Sequence, residues 1–132
     1  MLFLAAFAIA LVLFVAVDAV WLTKISAPAF RRELGPVLLE NPRFGAAAGF
    51  YLIYIAALVG LAILPTLAEG WLAAARTGAL VGLAAYATYE FTNMATVKGW
   101  KWHLVLTDTA WGTALSGLVS ALTVLALGAL GF

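Results

Sequence analysis

Four polar residues in "YATYEFTN", Tyr86, Tyr89, Glu90 and Asn93, are spaced i, i+3, i+4 and i+7. On an α-helix that spacing stacks them on one face. An acid, an amide and two phenols in one row can hold a cation through charge and the π-faces of the rings. With a second acid of different proton affinity, they can also move a proton. Two further acids have similar neighbours. Asp18 in "DAVW" and Asp108 in "DTAW" are each followed three residues later by a tryptophan, Trp21 and Trp111. The shared D-x-x-W is too short to establish an internal duplication. Tyr51 and Tyr54 in "FYLIY" complete the set.

The chain around these residues is unusually apolar. It is 66% hydrophobic and 10% charged, against roughly 25% charged residues in a soluble domain, so it reads as a membrane protein. Four apolar stretches, about 2–22, 46–67, 72–96 and 104–130, each approach the roughly 20 residues needed to cross the hydrocarbon. The expected fold is all-α: a polytopic membrane protein forming a four-transmembrane-helix bundle, one transmembrane domain over 1–132, with a loop over 23–45. The first stretch lacks a basic leader and carries Asp18 and Trp21 where a cleavage site would need small residues, so it reads as a retained helix.

Several chemistries are excluded or unsupported. Without cysteine there are no disulfides, thiolate metal sites, iron–sulfur clusters or cysteine nucleophiles. His103 is the single histidine and reads as structural. Neither a metal site nor a cofactor is expected. No G-x-S-x-G, H-E-x-x-H or phosphate-binding loop occurs, so no catalytic residue is assigned. Ser116 and Ser120 read as packing residues, Trp100 and Trp102 as an interfacial aromatic belt, and Trp71 as the belt at the opposite interface.

Charge sets the orientation. Lys24, Arg31, Arg32, Arg43, Lys98 and Lys101 fall in the first and third loops, against Arg76 alone on the other side. The positive-inside rule therefore places those loops in the cytoplasm and both termini outside. The long loop predicts a short interfacial helix from an N-cap at Ser26 through Leu34, stopped by Gly35 and Pro36. In that reading Phe30, Leu34, Val37 and Leu38 face lipid. Arg31 and Arg32, with Lys98, meet water or phosphate headgroups. A merely solvated basic loop is the alternative.

A rise of about 1.5 Å per residue then puts all the polar groups at one depth in the cytoplasmic leaflet. Asp18, Trp21, Tyr51, Tyr54, Tyr86, Tyr89, Glu90, Asn93, Asp108 and Trp111 form the candidate ligand-binding level. Helical faces agree: Gly78 and Gly82 extend the Glu90 stripe, Gly112, Ser116 and Ser120 follow Asp108, and Phe7, Leu11, Phe14, Asp18 and Trp21 share a face. A charge at the bilayer centre costs at least about 2.5–3.5 kcal/mol, so such groups turn inward and find partners. Three carboxylates at one level require a proton or a cation among them. Lys24, Lys98, Lys101, Arg31 and Arg32 are the expected basic partners, all able to snorkel at this boundary.

The segments "VDAVWL", "FRRELGPVL", "FYLIY", "YATYEFTNMATVKGW" and "LTDTAWGT" together resemble a family of small bacterial inner-membrane proteins, domain of unknown function 2177. In that family an aspartate commonly occupies the position of Glu90, and the glutamate here keeps the charge. The resemblance covers nearly the whole chain and implies a multi-pass four-helix protein of the bacterial inner membrane, with no activity attached. On the residues themselves, binding or transport of a small cationic or amphiphilic ligand ranks first. An accessory subunit of a larger membrane complex ranks second and a lipid-modifying enzyme third. The expected partners are the lipid bilayer, a small cationic or lipid ligand, and a second copy or larger complex. Nucleic acid is not expected, because orientation already accounts for the bases.

Overall fold

The computed structural model describes residues 1–132 and is entirely helical. Helix α1 (Leu2–Trp21) continues through a π-helical turn (Leu22–Ser26) into α2 (Ala27–Leu34) and a 3-10 turn (Gly35–Val37). Helix α3 (Phe44–Leu58) continues through a second π turn (Val59–Ile63) into the short α4 (Leu64–Thr66). Two long helices follow, α5 (Trp71–Thr96) and α6 (Trp102–Ala129). The protein is a membrane helical bundle.

The two π turns have one cause. Proline has no N–H for the carbonyl four residues back, and its ring collides with that carbonyl. Pro28 faces the carbonyl of Lys24 in this way, and Pro65 that of Leu61; both carbonyls lie inside a π turn. Widening the turn moves the carbonyl aside without ending the helix. The first helix therefore does not stop at Leu22. It runs unbroken for 36 residues to Val37, and most of the expected first loop is helix. Ser26 makes no cap hydrogen bond because no helix begins there.

Three continuous helices, Leu2–Val37, Phe44–Thr66 and Trp102–Ala129, are long and apolar enough to span a membrane. Helix α5 has the length, at 26 residues, but falls outside that group. Its polar stripe, together with Arg76, lowers its apolarity, and what holds it is packing against α6. Gly78 and Gly82 of α5 meet Ser116, Ser120 and the carbonyl of Gly112 on α6. A Cβ at Gly82 would lie 2.7 Å from Ser116 Cβ, and one at Gly112 would collide with the Tyr86 ring. Lipid offers no hydrophobic drive for helix association, so backbone approach of this kind supplies the attraction.

Helix α6 has the most buried residues of any element, 13 of them spread between Leu104 and Leu127. The inward row of α1 is Ala6, Ala10, Phe14 and Asp18, an i, i+4 row whose alanines admit close neighbours. Phe7 and Leu11, expected on that face, lie at its edges, partly buried. From α3 and its π turn, Ile55, Leu58, Val59, Ala62 and Ile63 close the core.

Helix α2 does not lie alone against lipid. Phe30 packs edge-on against Trp100 at 5.5 Å between ring centroids, and Leu34 is buried beside Gly99 of the α5–α6 turn. Of the four residues expected to face lipid, only Val37 and Leu38 are exposed. The rings and aliphatic side chains of α2 find more contact on that turn than an interface offers.

Gly82→Ala and Gly112→Ala are each expected to destabilise the protein by about 1–3 kcal/mol through overpacking. Gly49→Ala and Gly60→Ala, whose added methyls meet nothing within 4 Å, are expected to leave stability unchanged or slightly raised. Thermal unfolding of the four variants in one detergent measures the difference.

Candidate functional site

Asp18 sits one turn before the end of α1 and is 5% exposed. Its two oxygens are taken by two other helices. Tyr51 of α3 donates its hydroxyl to Oδ2 at 2.6 Å, and Trp111 of α6 donates its indole N–H to Oδ1 at 2.9 Å. Hydrogen bonds to an ionised acceptor are about twice as strong as neutral ones. Trp111 is positioned further by Trp21, whose ring stacks on it at 4.4 Å and 4°. Four of the predicted residues thus form one cluster joining three helices.

Glu90 is the second centre and is fully buried. Trp100 donates its indole N–H to Oε1 at 3.0 Å; Oε2 has no hydrogen-bond partner. The Asp108 carboxyl of α6 is its interacting neighbour. Trp100 reaches Glu90, ten residues back, because the chain reverses after Thr96 through Gly99, whose φ of +82° suits glycine. Trp100 is therefore an internal hydrogen-bond donor instead of a belt residue.

No lysine or arginine forms an ion pair with Asp18, Glu90 or Asp108; His103 Nε2 lies 3.4 Å from a carboxylate oxygen of Glu33. The expected basic partners Lys24, Lys98, Lys101, Arg31 and Arg32 all remain exposed. Tyrosine and tryptophan donors serve the buried acids instead, while the long basic side chains keep their heads in water. The acids do not converge as a metal-ligand set.

A cleft of about 730 Å³ opens beside these groups, within the usual size of a ligand site. Asp18, Tyr51, Tyr86, Tyr89 and Asp108 line it together with Arg31. Leu22, Phe30, Val37, Leu38, Leu39, Pro42 and Phe50 make its flanks apolar. The other predicted residues stand behind or beside it. Tyr54 turns into the core and bonds Ser116 at 2.7 Å, so Ser116 is a bonding partner as well as a packing residue. Trp111, Glu90 and Asn93 do not line the cleft. Trp21 faces a separate void of about 30 Å³ shared with Ser26, His103 and Asp108, the room of one water. Arg32 and Lys98 point elsewhere.

The family model described as a predicted membrane protein, domain of unknown function 2177, matches residues 3–125. The chain belongs to this family. No curated protein and no solved structure matches it. Membership covers every residue of the cluster and the cleft, so the site lies wholly inside the family domain.

The contributions of Trp100, Ser116 and the loop residues 37–42 escape a reading of helical faces. A signal for Trp100 is present in "KGW": a glycine after a helix end licenses a reversal that returns the next side chain to the helix.

Removing the Asp18 carboxyl leaves a phenol and an indole without acceptors. In a double-mutant cycle, Asp18→Ala and Tyr51→Phe are expected to couple by about 1–3 kcal/mol, read by unfolding in detergent. Glu90→Gln keeps an acceptor for Trp100 and gives the unpartnered position a donor toward Asp108. It is expected to be at least as stable as the wild type in the same assay, whereas Glu90→Leu loses about 1–3 kcal/mol.

Proposed function

We propose that the protein binds a small amphiphile bearing a positive group, held with that group among Asp108, Asp18 and the tyrosines and its apolar part along the flanks. The observation that carries this reading is the single cleft in which acids, aromatic faces and apolar walls meet. Carboxylates beside aromatic rings attract a cation by charge and by the ring quadrupole, and apolar walls take the remainder of an amphiphile at about 25 cal/mol per Å² buried. The cleft lining goes no deeper than the level of Asp18, Tyr51, Ala85 and Asp108. Beyond it Phe14, Leu58, Leu115 and Val119 are closed on one another. A blind site supports binding over passage through the bundle. The concentration of bases at this end supports its placement on the cytoplasmic side of a bacterial inner membrane, with both termini periplasmic.

A second reading, contact with another membrane helix, has one observation in its favour. Gly45 and Gly49 form a G-x-x-x-G pattern on α3 with open space above both. Such a stripe suits a second copy of the chain or a subunit of a larger complex.

Native mass spectrometry of gently extracted protein tests both readings. With dodecyltrimethylammonium as probe, the wild type is expected to retain one bound molecule, and Asp108→Asn to bind at least about tenfold more weakly, as the loss of a close charge in a low-dielectric site implies. Equal binding by the two proteins overturns the first reading. A monomer-only spectrum overturns the second.

A further inference from the structure

We propose that the occupant of the cleft is a phospholipid whose phosphate carries an amine: the ammonium lies toward Asp108 and the tyrosines, and the phosphate lies on Arg31. This rests on the binding reading above and names its ligand class. The cleft holds charges of both signs, Asp18 and Asp108 against Arg31, yet Arg31 makes no ion pair with either acid. Opposite charges that share a cleft without touching leave a gap bridged best by a ligand carrying both charges at a fixed separation.

Asp18 is already saturated by Tyr51 and Trp111. Asp108 borders the cleft and makes no hydrogen bond to a tyrosine or tryptophan, and Tyr86 and Tyr89 of α5 flank the same cleft. A purely cationic amphiphile would serve Asp108 and leave its charge facing Arg31. A purely anionic one would serve Arg31 and leave its charge facing two acids. Only a zwitterion neutralises both ends, and at the partly buried Asp108 end an uncompensated charge is costly. Arginine suits the phosphate end because its planar fork can donate two parallel hydrogen bonds to two phosphate oxygens. Its neighbour Arg32, a turn of about 100° away on α2, lies outside the cleft, as does Lys98.

The flanks supply the route for acyl chains. Leu22, Val37, Leu38, Leu39 and Phe50 both line the cleft and are exposed. An exposed apolar wall of this kind lets a headgroup enter the cleft while its chains stay in the bilayer.

Native mass spectrometry after equimolar lipid exposure tests the proposal, with phosphatidylethanolamine, phosphatidylglycerol and a trimethylammonium-propane lipid of matched chains as probes. The wild type is expected to retain phosphatidylethanolamine at least about fivefold over the other two. Arg31→Gln is expected to abolish that preference while leaving the cationic lipid bound as well as before or better, and Arg32→Gln to change nothing. Asp108→Asn is expected to lose both amine-bearing lipids. Wild-type preference for the cationic lipid, or unchanged phosphatidylethanolamine retention in Arg31→Gln, overturns the zwitterion while leaving the cationic site standing. Equal retention of phosphatidylglycerol and phosphatidylethanolamine overturns it in favour of a plain anion site. If no lipid is retained, or if Asp108→Asn retains all of them, both the ligand class and the binding reading fail.

Discussion

A buried carboxylate in a hydrocarbon-embedded bundle must find donors or lose its charge, and the fold of this protein is organised around that requirement. Asp18 meets it without a basic residue, through a phenol from α3 and an indole from α6. Both donors are rigid and largely apolar, so they can be buried up to the polar atom without stranding a second charge. A lysine in the same place would have to desolvate its ammonium as well, at a cost that often exceeds the attraction gained. The arrangement also fixes register. Sliding α3 or α6 by one turn, about 5.4 Å, would leave Asp18 and its donors unmatched at once.

Such a cluster can form only because the helices approach closely elsewhere. On α5 and α6, glycine and serine remove the side chains that would hold the backbones apart, and Tyr86 lies flush over Gly112. The ring is thereby held at the cleft, with no freedom to retreat into the core. Alanines on the inward row of α1 do the same for Phe14, which packs edge-on against Tyr51 and Tyr54 at 5.9 and 5.5 Å. Small residues in one half of the bundle thus determine where the large polar ones stand in the other.

Depth was legible from the sequence to a useful degree, because helix boundaries and a constant rise put Asp18, Tyr51, Tyr86, Asp108 and Trp111 at one level before any contact was known. Rotation was less so. Tyr51 and Tyr54 are three residues apart and on one face, yet one turns toward the cleft and the other toward Ser116, a difference set by neighbours on α1 and α6. The first loop is shorter than composition suggests, for a local reason. Composition falls after Leu22, but Pro28 is absorbed by a π turn instead of ending the helix. The polar residues after Leu22 mark the helix leaving the apolar layer, not its end. Residue type alone suggests an interfacial Trp100, whereas the glycine before it returns its indole to Glu90.

The same level of the bundle therefore does two kinds of work, and hydrogen-bond saturation separates them. Asp18, Tyr51, Trp111 and Trp21 are committed to one another; Tyr54 and Ser116 likewise; Trp100 closes one side of Glu90. The buried Trp21 Nε1 and Glu90 Oε2 are the atoms of these sets left without partners, and neither residue lines the cleft. Asp108 differs, since it is half-buried, borders both the cleft and the smaller void, and makes no hydrogen bond to a tyrosine or tryptophan. The committed groups hold the wall in place, and the Asp108 carboxyl, with Glu90 behind it, is what α6 adds to the cleft.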